Sequence, residues 1–262
     1  MPLQVETKED FSPVSLLNGD GKSPVLIVCE HASNRIPCQY SDLGLSTRKL
    51  KSHIAWDPGA DKVASYLSKL FDAPYVRGDI SRLVYDCNRP PSAIDAMPSR
   101  SEIFDVPGNM NLEDIERRQR IQKVYLPFHQ CLEDALATSE LNCALITIHS
   151  FTRVYNGQDR DVELGILHDK DSRLADAILS AASVFTSLNV QRNQPYGPEN
   201  GVTHTLREHG LKNGLLNVML EIRNDLLTTS EQCGKIAEML HGLLLHALKE
   251  ARGNDQLQEQ NS

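Results

Sequence analysis

Cys143-Ala-Leu-Ile-Thr-Ile148 is a short continuous apolar run, and it ends abruptly in His149-Ser150. An apolar run without alternation suits a strand covered on both faces, the kind that fills the centre of a parallel sheet. Two further runs repeat the pattern. Pro24-Val-Leu-Ile-Val-Cys29 stops at Glu30-His31-Ala-Ser-Asn34, and Leu215 to Ile222 carries Glu221 and leads into Arg223. Each buried run therefore delivers a chemically loaded residue at its carboxyl end. In open α/β sheets ligands sit beyond those ends.

Helical periodicity fills the intervals. Asp61 to Phe71 places Val63, Ala64, Leu67 and Leu70 at helical spacing, and a second helix is expected from about Asp171 to Val184. From Asn111, read as an N-cap, a long amphipathic helix is expected to run to about Ala137 with a kink at Pro127. The closing helix opens on the capping box Thr228-x-x-Glu231. Ala73 to Val76, Leu83 to Tyr85 and Val162 to Leu167 read as further strands. Residues 90 to 110 and 189 to 202 carry no regular pattern and read as loops. The alternation predicts a three-layer α/β/α sandwich around a central mixed, largely parallel sheet. The chain, 1–262, is expected to form one domain, with an N-terminal extension over 1–22 and a frayed polar tail over 254–262.

Composition narrows the function. With 40% apolar and 24% charged residues and a net charge of −8, the chain reads as an ordinary globular protein. No basic stripe is available for nucleic acid, and no run of about 18 apolar residues is available to span a bilayer. The first residues lack a signal-peptide pattern, so a cytoplasmic location is expected. Six cysteines without a Cys-x-x-Cys pair indicate free thiols. The order of assembly is left open, a homo-oligomer included.

The strand-end residues carry the chemistry. A neutral imidazole at His149 can hold a zinc-like ion, although a lone histidine there is more often a core residue with satisfied nitrogens. His31 at a second strand end weakens that plainer reading. For a third ligand, Asp57 in Trp56-Asp57-Pro58-Gly59 is preferred; it is also a plausible turn former, while Asn34 is a neutral amide and Glu30 ranks lower. Asp61 reads as a first-turn acid on the helix dipole. Glu221, inside an apolar strand, needs a partner or a raised pKa, as a general base does, unless it faces outward and pairs with Arg223. Asn88-Arg89-Pro90-Pro91 can clamp a carboxylate or be a plain loop. Arg82 and Arg160, taken singly, read as surface ion pairs. Tyr196 suits either a lid or a packed loop.

Together these segments resemble the N-formylglutamate amidohydrolase family and, behind it, the zinc carboxypeptidases and aminoacylases. The resemblance runs from about Val25 to Asp225 and rests on Glu30-His31-Ala-Ser-Asn34, Trp56-Asp57-x-Gly59-Ala60, Ser81-Arg-Leu-Val-Tyr-Asp-Cys-Asn-Arg-Pro-Pro91, Ile148-His149-Ser150, Glu163-Leu-Gly-Ile-Leu167, Asn193-x-Pro195-Tyr196 and Glu221-Ile-Arg223. It implies a zinc-exopeptidase-like fold and one divalent ion, zinc, on His31 and His149. It also implies Asn88 and Arg89 as a carboxylate clamp and Glu221 as the base, with Arg82 beside the oxyanion. Tyr196 and Arg160 would contact substrate. Asn34 stands where the carboxypeptidase pattern has glutamate, so the remaining ligand is open among Asp57, Asn34 and Glu30, with Asp57 preferred. The implied substrate is a small anionic N-acyl amino acid such as N-formylglutamate. A deacylase or exopeptidase acting on another substrate, and an inactive carboxylate binder, remain the alternatives.

Overall fold

The computed structural model describes residues 11–138 and 143–259, with side chains to 253. Its sheet is built from β1 (Val14–Leu17), β2 (Val25–Cys29), β3 (Tyr75–Gly78), β4 (Ala144–Phe151), β5 (Leu164–Leu167), β6 (Val190–Arg192) and β7 (Asn217–Arg223). The order across the sheet is β1-β3-β2-β4-β7-β5-β6. The pairs β3/β2, β2/β4, β4/β7 and β5/β6 are parallel, while β1/β3 and β7/β5 are antiparallel. This is the mixed, largely parallel sheet that the apolar runs predict.

Strand pleating divides the core in two. Val25, Ile27 and Cys29 of β2 and Ala144, Ile146 and Ile148 of β4 face one layer. There they meet α1 (Ala60–Phe71), which buries Val63, Ala64 and Leu67, together with helices laid down later in the chain. The intervening residues, Leu26, Val28 and Leu145, face the other layer. That layer consists of α2 (Asp114–Arg120), α3 (Leu126–Thr138) and the loops around 36–56 and 80–110. The first layer is completed by α4 (Arg173–Phe185) and α5 (Ser230–Glu259), whose Leu240, Leu243, Leu244 and Ala247 are fully buried. Among the described residues no helix is long and apolar enough to cross a membrane. All six cysteines are free, four of them buried.

Several local expectations change. Leu83-Val-Tyr85 forms a turn because its backbone is satisfied by side chains. Asn109 Nδ2 donates to the Leu83 carbonyl at 2.7 Å, and the buried Arg120 donates to that of Val84 at 3.1 Å. The expected helix from Asn111 begins instead after Glu113, whose N–H is accepted by the Glu116 carboxylate at 2.9 Å; Asn111 is left-handed, with φ 58°. Its irregularity is a π-helical turn, Ile121–Tyr125, just upstream of Pro127. Pro127 lies inside this continuous helical run, just after the π turn, at a position that has no N–H to donate. The closing capping box is shifted by one residue: Thr229 and Gln232 cap each other reciprocally.

At the ends, residues 14–17 of the expected extension join the sheet as its antiparallel edge, and β6 is the other edge inside the supposed loop 189–202. Both strands are short and half exposed, so neither leaves an apolar run to read. The helical backbone continues to Glu259, into the stretch read as a tail. The rest of that reading, for 260–262 and for residues 1–10 of the extension, lies outside the described residues.

Candidate active site

Register brings the loaded residues together. Glu221 of β7 pairs with His149 of β4, and Val28 of β2 pairs with Thr147, so that continuing β2 by two residues sets Glu30 beside His149. A row Glu30, His149, Glu221 therefore crosses three neighbouring strands on one face. Two glycines make room for it. A Cβ on Gly78 would lie 2.2 Å from the Glu30 carbonyl oxygen. One on Gly165, which pairs with Glu221 from β5, would lie 1.8 Å from that of Gln194. The chain before Tyr196 can thus press against the sheet next to Glu221.

Asp57 is carried over this row by the turn that starts α1. Its N–H donates to the His31 carbonyl at 2.9 Å, and Ser150 Oγ donates to that of Pro58 at 2.9 Å. Its Oδ2 lies 3.2 Å from His31 Nδ1 and 2.9 Å from His149 Nδ1. The two rings meet edge to face with centroids 4.8 Å apart. Each far nitrogen faces another buried carboxylate: His31 Nε2 is 2.7 Å from Asp86 Oδ1, and His149 Nε2 is 3.1 Å from Glu30 Oε2. Arg82 closes the network, 2.7 Å from Asp86 Oδ2 and 3.5 Å from Asp57 Oδ1.

The electrostatics follow from this crowding. Burial alone would raise the Asp57 carboxyl, but the His31 and His149 rings hold it well below the usual carboxylate range. Burial opposes charge on His149 too, yet Glu30 and Asp57 raise it well above the ordinary histidine value. His31 is raised by Asp86 and Asp57 against burial and Arg82. Glu221 goes the other way. Burial pushes it up to about 7, against the pull of His149, with the Asp57 charge adding to the rise. Its Oε2 is buried and has no hydrogen-bond partner among the described residues.

Donor chemistry supports a cation here. One ligand atom each from His31, Asp57 and His149 falls within 4.8 Å of the others. Two imidazoles and a carboxylate are a zinc-type donor set, and a carboxylate behind each imidazole is the usual support for such ligands. Protons on the two Nδ1 atoms stand where an ion would replace them. Asn34 is spent elsewhere, donating to the Leu50 carbonyl at 2.9 Å.

The site opens into a cavity of about 370 Å³ lined by His31, Asp57, Arg82, His149, Tyr196 and Glu221 among others. Asn88 and Arg89 also line it, but their polar atoms are largely committed. Asn88 bonds the backbone of Val202 and Thr205. Arg89 bonds Asp95 at 2.9 Å and the Gly201 carbonyl at 2.8 Å. Arg160 donates to Tyr196 Oη at 2.9 Å and lies over the rings of Tyr155 and Tyr196, 4.4 and 4.7 Å from their centroids. At the rim Glu102 joins His53 Nε2 and the Asn156 N–H, at 2.9 and 3.0 Å. Arg223 pairs with Asp225 and Glu163, which leaves Glu221 to the interior. Asp61 bonds Tyr75 Oη and Arg77 on the far side of the sheet from the cavity-facing row. Trp56, half buried, donates its indole N–H to the Lys51 carbonyl at 3.3 Å. A larger surface groove along α4 and β6 has no titratable lining residue and offers no chemistry.

Sequence reading overlooked Asp86 and the rim. Asp86 was within the quoted Asp-Cys-Asn-Arg string, and a buried acid next to an apolar triplet was the available signal. His53, Glu102 and Asn156 come from separate loops, and no spacing links them.

A buried glutamate beside a His/Asp/His cluster, at the strand ends of an α/β/α sandwich, defines a hydrolase. The family profile described as N-formylglutamate amidohydrolase matches residues 23–228. The chain belongs to the N-formylglutamate amidohydrolase family. A crystal structure of a gene product from Agrobacterium tumefaciens is 52% identical, with a TM-score of 0.91, covering 94% of this chain and 98% of that one. An N-formylglutamate amidohydrolase from Ralstonia eutropha JMP134 shares the fold at 16% identity and a TM-score of 0.62, covering 92% of this chain and 98% of that one. No curated protein matches the chain.

Proposed function

We propose that the protein hydrolyses the amide bond of a small N-acyl amino acid, N-formyl-L-glutamate first among them, with one divalent ion, zinc, held by His31, Asp57 and His149. The observation that carries this reading is the convergence of both Nδ1 atoms on Asp57 Oδ2 beside a glutamate whose carboxyl is pushed up to about 7. A bound zinc ion supplies Lewis-acid polarisation of the acyl carbonyl and a water acidified toward neutral pH.

The chain's own residues do the rest. Glu221 takes a proton from the attacking water and returns it to the leaving amine, a task suited to a carboxyl that titrates near neutrality. Arg82 donates to the oxyanion as it develops, while Asp86 holds its other edge. Tyr155, Tyr196 and Arg89 line the cavity, and Arg160 stands against the two tyrosine rings, from where its charge and that of Arg89 attract the substrate carboxylates. Asn88 keeps the segment 202–205 in place beneath them. The products are formate and glutamate.

Zinc-loaded protein, assayed against N-formyl-, N-acetyl- and dipeptide forms of glutamate, tests the reading. Glu221→Gln is expected to lower kcat by about 10²- to 10⁴-fold with zinc retained, and His149→Ala to lose both metal and activity. Parental activity in Glu221→Gln, or no amide hydrolysis with any divalent metal, refutes it.

A further inference from the structure

Glu30 precedes His31 in the chain but serves the other histidine. Its side chain is fully buried, and its Oε2 lies 3.1 Å from His149 Nε2. Both Glu30 oxygens and His149 Nε2 are buried without an aligned hydrogen bond. Thr147 Oγ1 and Thr205 Oγ1 are in the same condition. A carboxylate in such a place is costly, and it persists only where something depends on it.

The surroundings leave one charged partner at ion-pair distance, with the Thr205 hydroxyl also acting on the carboxylate. Among the described residues, His149 is the cationic group within ion-pair distance of Glu30. The other imidazoles nearby are bonded to one another: His129 Nε2 donates to the Cys87 carbonyl at 2.9 Å, and its Nδ1 is 2.6 Å from His209 Nε2. Glu30 does not line the cavity, and its side chain is fully buried. Its direction is set by the backbone, since β2 runs parallel to β4 in a register that brings it to His149, with Gly78 packed against its carbonyl.

We infer that Glu30 is a positioning residue: it fixes the ring of His149 and keeps the proton on Nε2, so that Nδ1 is presented to the cation. Glu30 thereby governs metal affinity and leaves substrate binding alone. Asp86 stands in the same relation to His31 but is also bonded to Arg82 and the Asn88 N–H, whereas among the described residues no cationic side chain other than His149 lies within ion-pair distance of Glu30. The inference rests on the metal reading of the site given above.

The test is zinc affinity, measured by competition with a chromophoric chelator, for the metal-free parent, Glu30→Gln and Glu30→Ala. Glutamine keeps the shape and a neutral acceptor, and is expected to weaken zinc binding about tenfold; alanine removes both, and is expected to weaken it about 100-fold. KM at saturating zinc is expected to stay at the parental value. The rise in melting temperature on adding zinc, compared within each variant, separates lost affinity from a general loss of stability. Parental zinc affinity in both variants, or a raised KM with unchanged affinity, overturns the inference. A parent that takes up no zinc overturns the underlying metal reading before any substitution is made.

Discussion

Arg160 is held by aromatic rings, and among the described residues no carboxylate lies within ion-pair distance of it. Arg89 differs, with Asp95 and a backbone carbonyl already on its guanidinium. On the proposed function a substrate carboxylate gains more from Arg160, since no internal carboxylate has to be displaced there. Arg160→Ala is expected to raise KM about 10- to 100-fold, the worth of a charge-assisted hydrogen bond, with little change in zinc affinity. Arg89→Ala is expected to act first on the stability of the loop around Gly201. Steady-state kinetics and thermal melts on both variants check this, and the opposite assignment would move the clamp to Arg89. At this scale the sequence was informative wherever chemistry interrupts an apolar run. His31, His149 and Glu221 stand out for that reason, and Asp57 for its turn. Partners reached through space, such as Asp86 for His31 or Tyr155 for Arg160, leave no such mark.

Two π-helical turns, Ile121–Tyr125 and Leu206–Gly210, bring their elements onto one buried histidine cluster. Tyr125 Oη meets His204 Nε2 at 2.9 Å, and His129 meets His209 at 2.6 Å. Burial, then the neighbouring His129, holds His204 down to about 4 and His209 down to about 3. These groups stay neutral when folded and take up protons near pH 6.5 when unfolded. Their contribution to stability is thus complete above about pH 6.5 and is lost as the pH falls toward 4, because the unfolded chain binds protons first. Urea unfolding between pH 7 and 4.5 is expected to show a slope of about 1.4 kcal/mol per pH unit for each such proton. His209→Gln is expected to flatten it, and an unaltered slope in that variant counts against the account. Helix periodicity revealed the span from residue 114 to 138 but not its π turn, which is a change of backbone hydrogen bonding over a single turn.

For the molecule as a whole, the central strands were legible and the edges were not. β2, β4 and β7 are buried on both faces and are mostly apolar until the site residues at their carboxyl ends, whereas β1 and β6 are bounded by solvent and tolerate any polarity. Leu83 to Tyr85 misled for the complementary reason: it is as buried as a central strand, but side chains from Asn109 and Arg120 replace the neighbouring strand. Burial reads directly in a sequence, and backbone pairing does not. The turn that carries Asp57 has one more consequence, which is optical. The chain contains a single tryptophan, Trp56, fixed to the Lys51 carbonyl and adjacent to the carboxylate shared by both histidines. Its emission therefore comes from one place, the turn that carries Asp57, with no other indole in the fold to add background. Titrating zinc into the metal-free protein is expected to shift or quench that emission with a midpoint equal to the chelator-derived affinity, and His149→Ala is expected to abolish the response.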